Sequence, residues 1–207
     1  MKQKKKVSTV WSSELAYIIG IIATDGNLSI DGRHIVITSK DEELLLKIKT
    51  SLFLTCMIGE RNSNTGKMYY VLQIGDKNFY TFLLELGISP AKSKTIQKVK
   101  IPKKYFFHFL RGCIDGDGNI DIFYHRESNH PQLRIRLASA SKAFLEWIHS
   151  EIKKESTIQG GWIYSQKEKS WHVLTYGKKD SIILLKKSYE NSTIFLERKY
   201  KQAKLFI

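Results

Sequence analysis

The chain has 207 residues, of which 42% are apolar and 26% charged, with thirteen glycines and three prolines. That balance supports a buried core and excludes wholesale disorder, collagen and linker-like composition. Thirty-four Lys and Arg against twenty Asp and Glu leave a net charge of +14, which predicts a polyanionic partner such as nucleic acid.

Lys2, Lys4, Lys5 and Lys6 form a dense basic run that reads as a frayed terminus. The first helix is expected over Ser13–Ala23 and contains the longest apolar run, nine residues from Leu15 to Ala23. A membrane span needs about 20, so no membrane partner is expected. Two strands follow, Asn27–Ile30 and His34–Thr38, and then a helix opening at Ser39 with a capping-box spacing to Glu42. Strands near Met57–Arg61 and Met68–Ile74 precede a third helix, Lys77–Leu86. The order then recurs. A helix over Lys103–Ile114 leads to strands Asn119–Tyr124 and Leu133–Ser139, a helix from Ser141, strands Ile158–Ser165 and Trp171–Tyr176, and a helix over Lys179–Tyr189.

The recurrence is also literal. Val71-Leu-Gln-Ile-Gly75 matches Val173-Leu-Thr-Tyr-Gly177 at an offset of 102, and Ile37-Thr-Ser-Lys40 is paired with Ser139-Ala-Ser-Lys142 at the same offset. Ala23-Thr-Asp-Gly-Asn27 matches Asp115-Gly-Asp-Gly-Asn119 at 92, which implies a ten-residue insertion around Phe123–Gln132. The reading is an α+β protein of two pseudo-symmetric αββαββα halves, 1–98 and 99–207, each with a four-stranded antiparallel sheet. The basic excess is shared, +6 over residues 1–100 and +8 over 101–207. Cys56 and Cys113 are isolated thiols without a CxxC spacing, so the expected setting is non-secreted and reducing: cytoplasm or organellar matrix.

The motif with chemical content is Ile18-Ile-Gly20-Ile-Ile-Ala-Thr24-Asp25-Gly26, repeated as Leu110-Arg-Gly112-Cys-Ile-Asp-Gly116-Asp117-Gly118. Small residues four apart let two helix backbones approach closely. Packed by these faces, the helices bring Asp25 and Asp117 together, where two carboxylates repel unless divalent cations sit between them. Metal-clamped phosphodiester hydrolysis uses such an arrangement. Asp115–Asp121 also starts like an EF-hand calcium loop, but Ile120 and Arg126 stand where Gly and Glu are required.

Both segments resemble the signature of the LAGLIDADG homing endonucleases in the monomeric, two-motif form. The resemblance implies two DNA-binding saddles with the motif helices at a pseudo-twofold axis, and a double-strand endonuclease acting at a long, rare site. It further implies Mg²⁺, with Mn²⁺ or Ca²⁺ able to substitute for binding, and staggered ends with short 3′ overhangs. Asp25 and Asp117 would be the metal ligands, with backbone carbonyls of Thr24 and Gly116 beside them. Lysines late in each half would assist catalysis, at Lys92 and Lys199, with Lys94 and Lys201 as near competitors and simple phosphate contacts as the other reading. Ser39 and Ser141 would order the attacking water, with helix capping as the simpler alternative. Arg111 would face solvent or phosphates. An intron-splicing RNA maturase or a non-cleaving DNA-binding protein on the same fold is the rival function.

Strand alternation sorts side chains onto two faces. Asn27, Ser29, Lys67, Gln73, Asn119, Asp121, Arg134, Arg136, Lys169 and Thr175 are assigned to the face that meets double-stranded DNA, where Arg and Gln suit base edges.

Overall fold

The computed structural model describes residues 7–63, 65–124, 130–166 and 170–207. The elements in chain order are α1 (Ser13–Thr24), β1 (Gly26–Leu28), β2 (His34–Ser39), α2 (Glu42–Ser51), β3 (Ile58–Asn62), β4 (Met68–Gly75) and α3 (Lys77–Leu86). The second set is α4 (Phe106–Asp117), β5 (Gly118–Tyr124), β6 (Pro131–Ser139), α5 (Lys142–Glu155), β7 (Trp162–Gln166), β8 (Trp171–Tyr176), α6 (Lys178–Tyr189) and α7 (Glu197–Ala203).

The two sheets repeat one antiparallel topology, β1-β2-β4-β3 and β5-β6-β8-β7. Period-2 patterning decides which face is covered. Ile35, Ile37, Leu72 and Ile74 are buried in the first sheet and Leu133, Ile135, Leu137 and Leu174 in the second. Helices α2 and α3 pack on the first sheet, α5 and α6 on the second. One contiguous apolar core runs through both halves.

At the centre α1 lies against α4. Every residue of α1 from Leu15 to Ala23 is buried, which accounts for its apolar character all round. The crossing rests on two glycines. A β-carbon at Gly20 would collide with the Phe109 carbonyl, and one at Gly112 with the Tyr17 carbonyl. The small-residue spacing therefore reports backbone contact between helices.

The register corrects the repeat. Gly26 pairs with Ile37 and Gly118 with Leu137, while Ile37 pairs with Leu72 and Leu137 with Leu174. Ser39 is thus equivalent to Ser139, not Ser141, at an offset of 100. The local bonds agree: the Asp41 amide donates to the Ser39 hydroxyl and the Ser141 amide to the Ser139 hydroxyl. The net ten extra residues arise as eight more in the β5–β6 hairpin, five more between β6 and β7, and three fewer between β7 and β8. The four-letter match around Ser141 is overridden by burial, because a shift of register would move the apolar set off the core.

Other differences have local causes. β1 stops at Leu28, and Ile30 is left exposed at a turn where Asp31 accepts from the Arg33 and His34 amides. β7 starts at Trp162 rather than Ile158, after Gly161 with φ +90. The segment before α4 is a 3-10 turn, Lys103–Tyr105. The short helix α7 has no counterpart among the expected elements. Among the described residues no helix is long and apolar enough to cross a membrane.

Candidate active site

Asp25 caps the C-terminal end of α1 and Asp117 is the last residue of α4. The Asp25 carboxylate reaches across the helix pair: a β-carbon on Gly116 would lie 3.0 Å from its Oδ2 and against the Thr24 hydroxyl. Thr24, bulkier than its counterpart, fits because Gly116 opposes it and because its hydroxyl donates to the Gly20 and Ile21 carbonyls at 3.1 Å. Among the described residues no donor hydrogen-bonds either carboxylate. Burial, reinforced by the charge of Asp117, raises the Asp25 carboxyl to about 6. Asp117 is more open to solvent, yet crowding by the protein raises it too.

Two buried lysines stand behind the pair. Lys92, 5% exposed, sits in a 3-10 turn after α3 and donates to the Gly26 carbonyl. Lys199, 3% exposed, projects from α7 and donates to the carbonyls of Ile114, Asp115 and Gly118 at 2.7 Å and of Gly116 at 3.2 Å. The Lys199 ammonium caps the C-terminal end of α4, where the helix dipole favours a cation, and Lys92 bonds the carbonyl one residue beyond the C-cap of α1. Desolvation lowers Lys199 to about 8 and lowers Lys92 as well. Both lower the cost of ionising the carboxylates. Their competitors Lys94 and Lys201 are exposed. Neither lysine lines the clefts beside the carboxylates.

Asp115, one position before Gly116, is buried and saturated. Its Oδ2 accepts from the Tyr17 hydroxyl and the Leu196 amide at 2.8 Å, and its Oδ1 from the Tyr189 hydroxyl at 3.0 Å. It ties α1, α6 and the segment leading into α7 together, and so sets where Lys199 enters. Ala23 stands at the equivalent place in the first half. Arg111 is fully buried, contrary to the solvent-facing expectation. It donates to the Ile194 carbonyl at 3.0 Å and the Ser188 carbonyl at 2.6 Å, and stacks over Tyr17. Those acceptors lie some eighty positions away in sequence, which is why the motif alone did not disclose them.

Ser39 and Ser141 part company. Ser141 is buried, accepts from the Phe144 amide as the cap of α5 and donates to the Ile96 carbonyl, which is the helix-capping role. Ser39 borders the cleft beside Asp25, and the equivalent Ser139 borders the cleft beside Asp117.

On the open face of the first sheet lie Asn27 and Gln73, both exposed and both opposite Val36, and Lys67 precedes β4 with the same parity. Ser29, half-buried, follows β1. On the second sheet Asn119 faces Arg136 and Asp121 faces Arg134. Asp121 is not a free contact: it pairs with Arg136 at 2.6 Å and lies 3.6 Å from Arg134, which stacks over Phe123. Thr175 shares the face but is 2% exposed between Arg136 and Trp162, which corrects its assignment as a contact residue. Lys169 lies outside the described residues. The register adds Arg61, opposite Tyr69, and exposed Trp162, opposite Thr175; Trp171, which shares the strand parity of Thr175, is exposed rather than core.

A family model for a LAGLIDADG-like domain matches residues 12–87. An uncharacterized protein of Methanocaldococcus jannaschii is 22% identical over 160 residues, 74% of this chain and 59% of that protein. This chain thus spans less than two thirds of that relative's length. The solved N-terminal LAGLIDADG domain of DUF199/WhiA superposes with a TM-score of 0.59 at 18% identity, covering 94% of this chain and 89% of that one. Mesophilic variants of the homing endonuclease I-DmoI give 0.58 at 17%, covering 87% and 97%. The LAGLIDADG homing endonuclease I-GzeII, solved with a DNA target, gives 0.59 at 14%, covering 91% and 87%. At such identities these likenesses concern the fold, which proteins described as endonucleases and one described by its domain alone share. With the family model over the first half, the motif repeated at Asp117 and the two-sheet architecture, residues 12–87 match a LAGLIDADG-like domain and the whole chain has the LAGLIDADG fold.

Proposed function

We propose that the chain is a site-specific double-strand DNA endonuclease working with a divalent metal. The observation that carries this is the pair of unbonded carboxylates, Asp25 and Asp117, at adjoining ends of two crossed helices, between two open sheet faces and within a chain of charge +14. Structures of I-DmoI described as complexes with DNA and Mg, Mn or Ca lend support to the metal and the partner.

The donor set suits a hard cation. Asp25, Asp117 and the nearby backbone carbonyls of Thr24 and Gly116 are oxygens only, and Mg²⁺ is commonly held by one or two carboxylates plus substrate phosphate and water. Among the described residues there is no cluster of three or more His, Cys, Asp or Glu, so phosphate and water would complete the coordination. Gly116 already accepts from Lys199, through its longest contact, and keeps a second lone pair. A bound divalent ion supplies Lewis acidity and a more acidic water.

The chain's own residues do the rest. The glycine crossing fixes the spacing of the carboxylates. Lys92 and Lys199 offset their repulsion from behind, and Asp115 fixes the entry of Lys199. The exposed Asn27, Gln73 and Arg61 and the half-exposed Arg134 and Arg136 hold the duplex. In the reaction a water oxygen bonds to phosphorus and one ester P–O bond breaks. One water proton leaves to solvent, and the departing oxygen takes up a proton.

The test is incubation of the protein with Mg²⁺ and a plasmid library of random inserts. The wild type should linearise a defined subset, and Asp117→Asn should bind that subset as tightly without cutting it. Binding of the subset by the wild type without cutting would leave the non-cleaving binder as the better reading. Tight binding of a structured intron RNA instead of duplex DNA would leave the maturase.

A further inference from the structure

The two carboxylates open into two clefts of nearly equal size, about 320 Å³ beside Asp25 and about 310 Å³ beside Asp117. Once the register is corrected the clefts are equivalent. Thr38, Ser39 and Lys40 at the end of β2 correspond to Ala138, Ser139 and Ala140 at the end of β6. Leu44 corresponds to Phe144, and Tyr69 to Trp171.

Their chemistry differs. The Asp25 cleft is lined by Lys40 and Arg198, two exposed cations, and Asp41 pairs with the Arg198 guanidinium at 3.1 Å, which holds it at the rim. In the Asp117 cleft the place of Lys40 is Ala140, that of Asp41 is the helix-capping Ser141, and no cation lines the wall among the described residues. The stretch around Lys92 lines the Asp117 cleft with Ser93 and Ile96, neither of them a cation. Arg198 comes from the second half and Asp41 from the first, so this equipment exists only when the halves are joined.

We propose that Lys40 and Arg198 make the Asp25 cleft the stronger phosphate seat, so that the strand entering it is cut before the strand entering the Asp117 cleft. This rests on the nuclease reading. Charge-assisted contacts to phosphate are worth roughly a factor of 10–100 each when well placed. The seat at Asp117 is left with the metal, backbone groups and the uncharged hydroxyls of Thr24, Ser93 and Ser139.

The experiment uses a target duplex recovered by selection from a random-sequence library, labelled separately on each strand, with the full-length protein and Mg²⁺. The wild type should cut one strand ~10-fold or more faster than the other. Lys40→Ala with Arg198→Ala should slow that strand alone, bringing the two rates within ~3-fold, and Ala140→Lys should speed only the other strand. Equal rates in the wild type, or equal slowing of both strands by the double variant, would overturn the proposal. A second arm does not need cleavage. A neutral methylphosphonate at one scissile position should weaken binding, while the same change on the opposite strand should not, and the double variant should abolish that difference. If the wild type cuts neither strand, the nuclease reading falls. The methylphosphonate asymmetry then decides the unequal seats alone, and its absence overturns them.

Discussion

Asp25→Asn should make the protein more stable at neutral pH in the absence of divalent ions. The carboxyl rises from 3.8 to about 6 because burial and the neighbouring Asp117 disfavour its ionised form. The folded state therefore binds the proton more tightly than the unfolded chain, and stability falls as pH rises from about 4 to about 6. At about 1.4 kcal/mol per decade the ceiling is about 3 kcal/mol, and partial solvation of a half-buried group brings the expectation to about 1–3 kcal/mol. For a chain of this size that is a rise in Tm of roughly 3–9 °C. The assay is thermal unfolding of wild type and variant from pH 4 to 8 in EDTA. The curves should converge near pH 4 and separate above pH 6. Mg²⁺ should then raise the wild-type Tm with concentration, by mass action on the folded state, and raise the variant's less. Parallel curves, or a variant less stable than wild type at pH 7.5, would refute the reasoning, because the carboxylate would then be held by favourable bonds.

Three further outcomes follow from the geometry. Gly20→Ala should cost about 3 kcal/mol or more in chemical unfolding, since its β-carbon meets the Phe109 backbone, which cannot yield as a side chain can. Asp115→Asn should cost about 2–4 kcal/mol, because three donors from three elements share its two oxygens and an amide offers one acceptor. DNA affinity should fall ~10³-fold or more between 50 and 200 mM salt if about six or more phosphates are contacted, and a flat titration would contradict the open-face assignment.

The sequence carried the architecture because the repeat and the patterning point the same way. α3 was legible to the residue: Asp76 accepts from the Asn78 and Phe79 amides at its start, and Gly87 adopts φ +99 at its end. Gly20 and Gly112 were legible as a helix contact because only glycine permits the approach. What stayed hidden was set by long-range partners. The burial of Arg111 depends on carbonyls in the last thirty residues, and Lys199 is distinguished from Lys201 only by the path of α7. Ser141 was misplaced because a short Ser-Lys match imitated a register that core burial fixes elsewhere. The inequality of the two clefts was visible only after that correction, since it depends on setting Lys40 against Ala140.

The central claim is that Asp25 and Asp117 together hydrolyse DNA. The direct measurement is cleavage and affinity for one selected duplex, with affinity taken in Ca²⁺ and cutting in Mg²⁺, for wild type, Asp25→Asn and Asp117→Asn. The account predicts that all three bind within a few-fold of one another, that the wild type cuts both strands, and that each single variant loses double-strand cutting by ~10²-fold or more. Undiminished cutting by either variant, or equal binding with no cutting by the wild type, would contradict it.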